Sequence, residues 1–585
     1  MPARMESVKS FRGSGKFDEL EDRAFRKRTR RRVIIIAAAS IVLLAAIVSI
    51  VWGAVLKKRS DNANLSSAAL MTPAASIRAV CNATEYPNSC FSSITTLESS
   101  SNSTDPRQIF KLSLLVAING AASFFNYTNQ LVPQMTDPLE QAAFGVCQTV
   151  LQDAIDHLND TASLMEVNQG QKLPLPSTVT DMRTWLSTAI THQETCLDAL
   201  EEANSTLLGD MRLAMRNSTE FTSNSLAIVT KIVSLIAAYD VPIQRRLLGF
   251  GGARSDLPSW VGPANRRLLQ AVNLRPNLTV AQDGTGNYKT IKDAVEAIPE
   301  KSLSRFVIYI KAGVYKENVL LDKNKWNVMM YGDGKTSTIV TGNLNFVDGT
   351  PTYSTATFTV IGKGFIARDM GFVNTAGAAK QQAVAFLSQS DLSVMYRCAF
   401  DAFQDTLYAS TNRQFYQDCD VTGTIDFIFG NAVAVLQNCT ILPRQPLSSQ
   451  YDTLTLTAQG NSDPNQNGGI SIQNCRVTPN GNLTAQTYLG RPRKAYSTTV
   501  FMGSSIGPFL SPKGWTEWIP NVQPPITIFY GEYMNTGAGS NTSGRVKWPG
   551  YHPALTSDQA RKFTVGSFIQ GNAWLPQTGI AFDPS

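Results

Sequence analysis

The chain has 585 residues, a formal net charge of +7 and 43% apolar residues. That is enough for more than one globular core, and it excludes both a disordered chain and a small disulfide-stapled one. Six basic residues crowd into Arg26–Arg32, and no other Lys/Arg cluster with interleaved aromatics follows, so no nucleic-acid partner is expected.

Residues 1–32 form a polar, basic tail, and Val33–Leu56 then runs for 24 residues without a charge. At ~1.5 Å per residue a helix of that length exceeds the ~30 Å hydrocarbon core of a bilayer. Lys57, Lys58 and Arg59 follow the span. The basic excess before it predicts a cytoplasmic N-terminus, a type II signal anchor over 33–56 and a lumenal remainder. A cleaved signal peptide is the alternative, but the apolar run is long for one and starts late. Beyond the span lie all eight cysteines and eleven Asn-x-Ser/Thr sites, seven of them at Asn64, Asn82, Asn102, Asn126, Asn159, Asn204 and Asn217. These fit a glycosylated chain of the secretory pathway, where disulfides are permitted.

From residue 76 to about 240, apolar positions recur every three to four residues, as in IFKLSLLVAINGAASFF and FTSNSLAIVTKIVSLIAAY. This predicts an antiparallel helical bundle. Cys81 and Cys90 are near enough to close a hairpin and Cys147 and Cys196 could tie two long helices, but sequence alone leaves three pairings of the four open. Residues 241–270 are rich in Gly, Pro and Arg and carry RRLL twice, led by Arg245, Arg246 and by Arg266, Arg267. A dibasic motif in an extended linker is what a processing protease needs.

After Val280 the period shortens to two, in runs such as RFVIYI, STIVTG and ATFTVIG. A repeat centred on cysteine reads YRCAF, QDCDV, QNCTI and QNCRV, at Cys398, Cys419, Cys439 and Cys475. Steps of 21 and 20 residues between the first three predict stacked coils, a parallel β-helix over 271–585, so the fold class is an α+β multidomain chain. A sandwich or propeller is the alternative, opposed by the irregular 36-residue step to Cys475. The four cysteines are disulfide candidates with their partners open.

Two acids share that period. Asp405 and Asp426 are 21 residues apart, so stacked coils put them side by side. Neighbouring carboxylates do not both ionise cheaply, so one keeps its proton and the other its charge, giving an acid and a nucleophile. An Asp near Gly and Thr often only shapes a turn; the pairing, the spacing and Gln404 favour chemistry here. This part of the chain has one histidine, His552, while His157 and His192 lie in the helical region. A Ser-His-Asp triad and a multi-histidine metal site therefore have little support, and no metal or cofactor is called for.

GVYKE at Gly313–Glu317, QAVAF from Gln382, FQDTLY from Phe403, GTIDFIFG from Gly423 and LGRP from Leu489 together resemble the plant pectin methylesterases, over about 277–574. IRAVCNATEYPNSC and WLSTAITHQETCLDAL resemble the plant pectin methylesterase inhibitor family, a disulfide-bonded four-helix bundle, over about 76–240. The first resemblance implies a right-handed β-helix that hydrolyses methyl esters of homogalacturonan in the plant cell wall. Asp426 would be the nucleophile, Asp405 the proton donor and base, Gln404 and Gln382 the oxyanion donors, and Arg491 the cation orienting Asp426. Thr352 matches a substrate contact; Phe429, Tyr408 and Phe427 are candidate sugar platforms, and Trp515 and Trp518, in KGWTEW with Gly and Pro around them, are candidates for the rim of the groove. The second implies a pro-domain that inhibits or assists folding, with an inert spacer as the alternative. The pairing of domains implies cleavage at RRLL by a subtilisin-like protease, release to the wall and inhibitor proteins as partners. One position departs from the pattern: Arg493 stands in LGRPRK where the family has Trp. It either pairs with a galacturonate carboxylate or costs the aromatic platform, which leaves a catalytically impaired pectin-binding or regulatory protein as the rival reading. A lyase or polygalacturonase on a similar fold is a further one, opposed by the two glutamines.

Overall fold

A computed structural model describes residues 72–97, 104–167, 176–238, 275–447 and 453–585. The basic tail, the anchor at 33–56 and the RRLL linker at 241–270 lie outside the described residues.

Six helices come first: α1 (Pro73–Cys81), α2 (Pro87–Thr95), α3 (Pro106–Leu131), α4 (Pro138–Val167), α5 (Pro176–Glu202) and α6 (Leu208–Ala238). Five of the six start-sites are easy to read, because a proline occupies the first turn where no intrahelical N–H partner is needed. At α3 the Asp105 carboxylate accepts the Arg107 N–H at 2.9 Å, and at α4 Asp137 accepts that of Glu140 at 2.8 Å. The four long helices pack on one another around two apolar clusters, one built on Phe110, Leu158, Leu186 and Leu226 and the other on Phe144, Leu151, Leu200 and Met211. Disulfides join Cys81 to Cys90, and Cys147 on α4 to Cys196 on α5. Among the described residues α3 alone is long and apolar enough to cross a membrane, and half of its apolar window is buried inside the helical domain.

From Leu278 the chain coils through three parallel sheets of eleven, eight and seven strands. One coil runs Arg413–Gln417 in the first sheet, Asp420–Gly423 in the second and Ile428–Gly430 in the third, before Val433–Gln437 re-enters the first. This is the topology of a parallel β-helix. Its interior is filled by stacked side chains, with Phe358, Phe386, Phe372 and Phe400 at its centre.

The cysteine repeat marks the corner between the first two sheets. The residue before each cysteine, Arg397, Asp418, Asn438 or Asn474, has φ between +51° and +55°, a left-handed turn that Asn and Asp tolerate best. The four cysteines are buried free thiols, which corrects their standing as disulfide candidates. Parallel register stacks them one per coil with parallel Cβ vectors, and each sulfur accepts the N–H of the coil before it. Cys398 donates to Cys419 at 3.4 Å, Cys419 to Cys439 at 3.4 Å and Cys439 to Cys475 at 3.3 Å, and Ser504 continues the ladder at 3.0 Å from Cys475.

Outer faces are covered differently. Val565, Ile569, Trp574 and Leu575 of the C-terminal segment pack on the outer face of the eleven-stranded sheet, against Val394, Phe415 and Val435. On the seven-stranded sheet an outward row, Leu387, Tyr408, Phe429 and Ala458, stands in register across four coils. This row lies beside the corner where both acids sit.

Candidate active site

Asp405 and Asp426 occupy the turns between the second and third sheets on adjacent coils. Each lies two residues before a paired strand position, Leu407 and Ile428, so the 21-residue period stacks them. Both have left-handed backbones, with φ +62° and +51°, and both are buried. Side chains held in such turns on a rigid stack are pre-positioned, a form of local strain that the flanking ladders over-determine.

Arg491 reaches Asp426 from two coils further on. Its Nε donates to Oδ1 and Oδ2 at 2.9 and 3.1 Å, and its Nη2 donates to Oδ2 at 2.6 Å. The preceding Gly490 makes this reach possible, since a Cβ there would lie 2.0 Å from Thr457 Oγ1. Thr455 completes the clamp. Its hydroxyl donates to Asp426 Oδ1 at 2.5 Å and accepts the Asp426 N–H at 3.1 Å. The sequence reading missed Thr455; it sits in the alternating run TLTLTAQ and carries no motif of its own.

Asp405 has a different environment. Burial, then the charge of Asp426, pushes its carboxyl well above the usual carboxylate range; Glu202 adds to the shift, while Arg493 and Arg491 oppose it. Gln404 precedes it and pairs in parallel register with Gln382 on the neighbouring coil. The Gln382 side-chain oxygen is buried without a protein partner. Two amides and two acids in unlike surroundings therefore converge on one corner, an arrangement suited to acyl transfer through a carboxylate.

The other sequence candidates divide. Thr352 is buried and donates its N–H to Glu202 Oε2 at 3.1 Å. Phe429 stacks on Tyr408 at 4.2 Å in the outward row. Phe427 and Trp515 are in the core instead, fully buried, with Trp515 packed on Tyr530 and Phe501. A rim role for Trp515 is thereby corrected. Its backbone bridges Gly490, which turns the indole inward. Trp518, three residues on, is 36% exposed, with the Arg491 guanidinium 4.3 Å from its ring centroid.

Helix α5 runs along the outer side of the seven-stranded sheet, from the turns that lead back to the first sheet to this corner, which Glu202 at its end reaches. Thr184, Thr188 and Thr191 hydrogen-bond Asn467, Asn412 and Asn431 on successive turns of the β-helix at 2.9 Å each. Further along the same face, Glu194 and Asp198 ion-pair with Lys494, and Asp198 also with Arg493. Lys323 bridges Asp153 and Asp156 of α4, and Arg413 binds Asp181 of α5 at 2.8 Å. The contact between the two domains is largely threonines, amides and ion pairs, a polar character typical of separable interfaces, with Tyr353 of the β-helix packed against both the Phe144 cluster of the helices and the outward row at Leu387.

The fold is a parallel β-helix, and one of its corners gathers two carboxylates, two glutamines and an arginine. Comparison makes the class specific. The pectinesterase family model matches residues 277–572, and that of the plant invertase/pectin methylesterase inhibitor family matches residues 75–228. Pectinesterase 3 of Phaseolus vulgaris is 55% identical over 99% of this chain and 100% of its own length. Pectinesterase 1 of Arabidopsis thaliana is 52% identical over 98% and 99%. Among solved structures, pectin methylesterase from carrot is 52% identical with a TM-score of 0.52, and covers 53% of this chain and 98% of the carrot chain. The chain belongs to the pectinesterase family, the carboxylic ester hydrolases, and carries an inhibitor-family domain before its catalytic one.

Proposed function

We propose that the β-helix domain hydrolyses methyl esters of homogalacturonan, releasing methanol and leaving free galacturonate carboxylates. The observation that carries this is the unequal pair: Asp426 clamped by Arg491 and Thr455, beside Asp405 whose burial favours its proton. Asp426 attacks the ester carbonyl carbon, and the N–H groups of Gln404 and Gln382 receive the developing oxyanion, a contribution of about a hundredfold or more per donor. Asp405 gives its proton to the departing methoxide. Methanol leaves, and an acyl-enzyme on Asp426 remains. Asp405, now a base, takes a proton from water, which attacks the acyl carbon, expels Asp426 and restores both groups. Thr352, Phe429 and Trp518 flank the sugar.

In the precursor α5 occludes this corner, so the helical domain acts as an inhibitor in cis. Cleavage at Arg245–Leu248 or Arg266–Leu269 by a subtilisin-like protease frees the catalytic domain from it and from the anchor at 33–56, and delivers an extracellular, glycosylated wall enzyme. Support for this reading is the polar contact just described, together with the two-family composition of the chain. The test is methanol release from highly methylated pectin by residues 271–585, with polymer length measured alongside. Release without chain shortening is expected. Shortening would favour a lyase or polygalacturonase, and retention of pectin by a folded domain that releases no methanol would favour the binding reading.

A further inference from the structure

The two cations that follow Arg491 have no role in the scheme above, and their surroundings give them one. Arg493 Nη2 lies 3.1 Å from Asp198 Oδ2, and Lys494 Nζ lies 2.9 Å from both Asp198 Oδ1 and Glu194 Oε2. One carboxylate is thus divided between two cations. The charge is effective: burial alone would push Asp198 up, but Arg493 and Lys494 outweigh it and hold the group below its usual range. Glu202, one turn beyond Asp198, lies within electrostatic reach of Arg493. The acids at 194, 198 and 202 repeat every four residues, so they form one ridge with a rise of about 6 Å per step.

All of these ion pairs cross between domains. Within the β-helix the loop is held by its backbone instead: Arg491, Arg493 and Lys494 donate their N–H groups to Thr457 O, Gln459 O and Ser497 Oγ at 3.0, 3.1 and 3.1 Å. The loop is therefore set by backbone bonds that do not involve the helix, with Lys494 beside Arg493 and both facing α5. Arg493 also acts electrostatically on Asp405 and stands 5.9 Å from the Trp518 ring. Once α5 leaves, two adjacent cations remain without their carboxylates, with Arg493 within electrostatic reach of Asp405, an arrangement that favours an anion.

We infer that Arg493 and Lys494 form a subsite for the free carboxylate of an already de-esterified galacturonate next to the ester being cleaved, and that the Glu194–Asp198–Glu202 ridge of α5 occupies it in the precursor as a mimic of the polyanionic product. The inference rests on the proposed substrate. It makes Arg493 a specificity determinant, biasing the domain toward esters that neighbour a free acid, where the tryptophan of related chains has no charge to offer.

The test is a binding measurement, independent of turnover. It uses residues 271–585, whose apolar core closes within Val280–Tyr551 and which the carrot protein matches over 98% of its own length. Calorimetric titration with unesterified hexagalacturonate is compared with the fully methyl-esterified hexamer, in wild type, in Arg493→Gln/Lys494→Gln and in Arg493→Lys. The double variant should bind the unesterified oligomer roughly tenfold or more weakly, as the loss of charge-assisted contacts implies, with a shallower salt dependence and little change toward the esterified one. Arg493→Lys, which keeps the charge, should retain most of the preference. Unchanged binding of the unesterified oligomer by the double variant, with its melting temperature intact, would overturn the subsite. Methanol release, measured on the same samples, reports separately on the esterase reading.

Discussion

Arg491→Lys tests how the nucleophile is held. The guanidinium makes three N–H to oxygen contacts of 2.6 to 3.1 Å with Asp426, spread over both carboxylate oxygens. A lysine keeps the charge but presents a single donor atom, so at least one charge-assisted hydrogen bond is lost, worth about 1.5–3 kcal/mol. If that bond aims the attacking oxygen, the loss appears in the barrier, and each ~1.4 kcal/mol is tenfold in rate. The expected result is a fall in kcat of about 10- to 100-fold. Methanol release under saturating pectin measures it, with thermal unfolding as the control for the fold. A kcat within twofold of wild type, in a folded variant, would refute the view that the fork positions Asp426. Arg491→Ala goes further, because it leaves a buried carboxylate without its cation, a loss of about 3–5 kcal/mol in stability.

Other consequences concern protons, hydroxyls, the helix and the disulfide. The Asp405 carboxyl titrates above its unfolded value, so the folded domain holds a proton that the unfolded chain has already released. That stabilisation is complete below the usual carboxylate range and is lost as pH rises through the folded value. Asp405→Asn should therefore gain stability over wild type toward neutral pH and show no such gain near pH 3, while losing most activity; melting scans across pH in which the gap does not grow would contradict this. Thr455→Val removes the hydroxyl 2.5 Å from Asp426 Oδ1 and should lower kcat roughly tenfold, whereas unchanged kinetics would leave Thr455 a packing residue. In the uncut precursor, Asp198→Asn loosens the contact with both Arg493 and Lys494 and should raise methanol release several-fold; an unchanged rate would separate the ion pairs from occlusion. Replacing Cys147 and Cys196 by Ser opens a cross-link over a separation of 49 residues, which chain entropy values at about 4 kcal/mol of helical-domain stability, and a denaturant midpoint unchanged from wild type would contradict that.

Repetition explains which parts were legible in the sequence. The spacing of Cys398, Cys419 and Cys439 reports coil length because parallel register brings each residue back to the same corner, and Asp405 and Asp426 obey the same rule at the next corner, one sheet away. Arg491 was legible through LGRP alone. Trp515 was misplaced because nearby Gly and Pro suggest a rim, whereas its backbone bridge to Gly490 sends the ring into the core. The cysteines invite disulfides by number, yet a ladder offers each sulfur an N–H rather than a facing thiol. Least legible was the path of α5. Helical periodicity identifies the face that packs on Phe110 and Leu226, but the opposite face, with Thr184, Thr188, Thr191, Glu194 and Asp198, looks like a solvated surface until its partners are known.

The central claim is the division of labour between the two acids, and trapping the acyl-enzyme tests it most directly. With an activated aryl ester of a galacturonate oligomer the leaving group needs no proton, so Asp405→Asn should still acylate but should deacylate slowly for want of a base. Mass spectrometry should then find a galacturonosyl adduct on the peptide carrying Asp426, absent when Asp426→Asn is added. An adduct on another residue, or continued turnover of methylated pectin by the Asp426→Asn domain, would contradict the account.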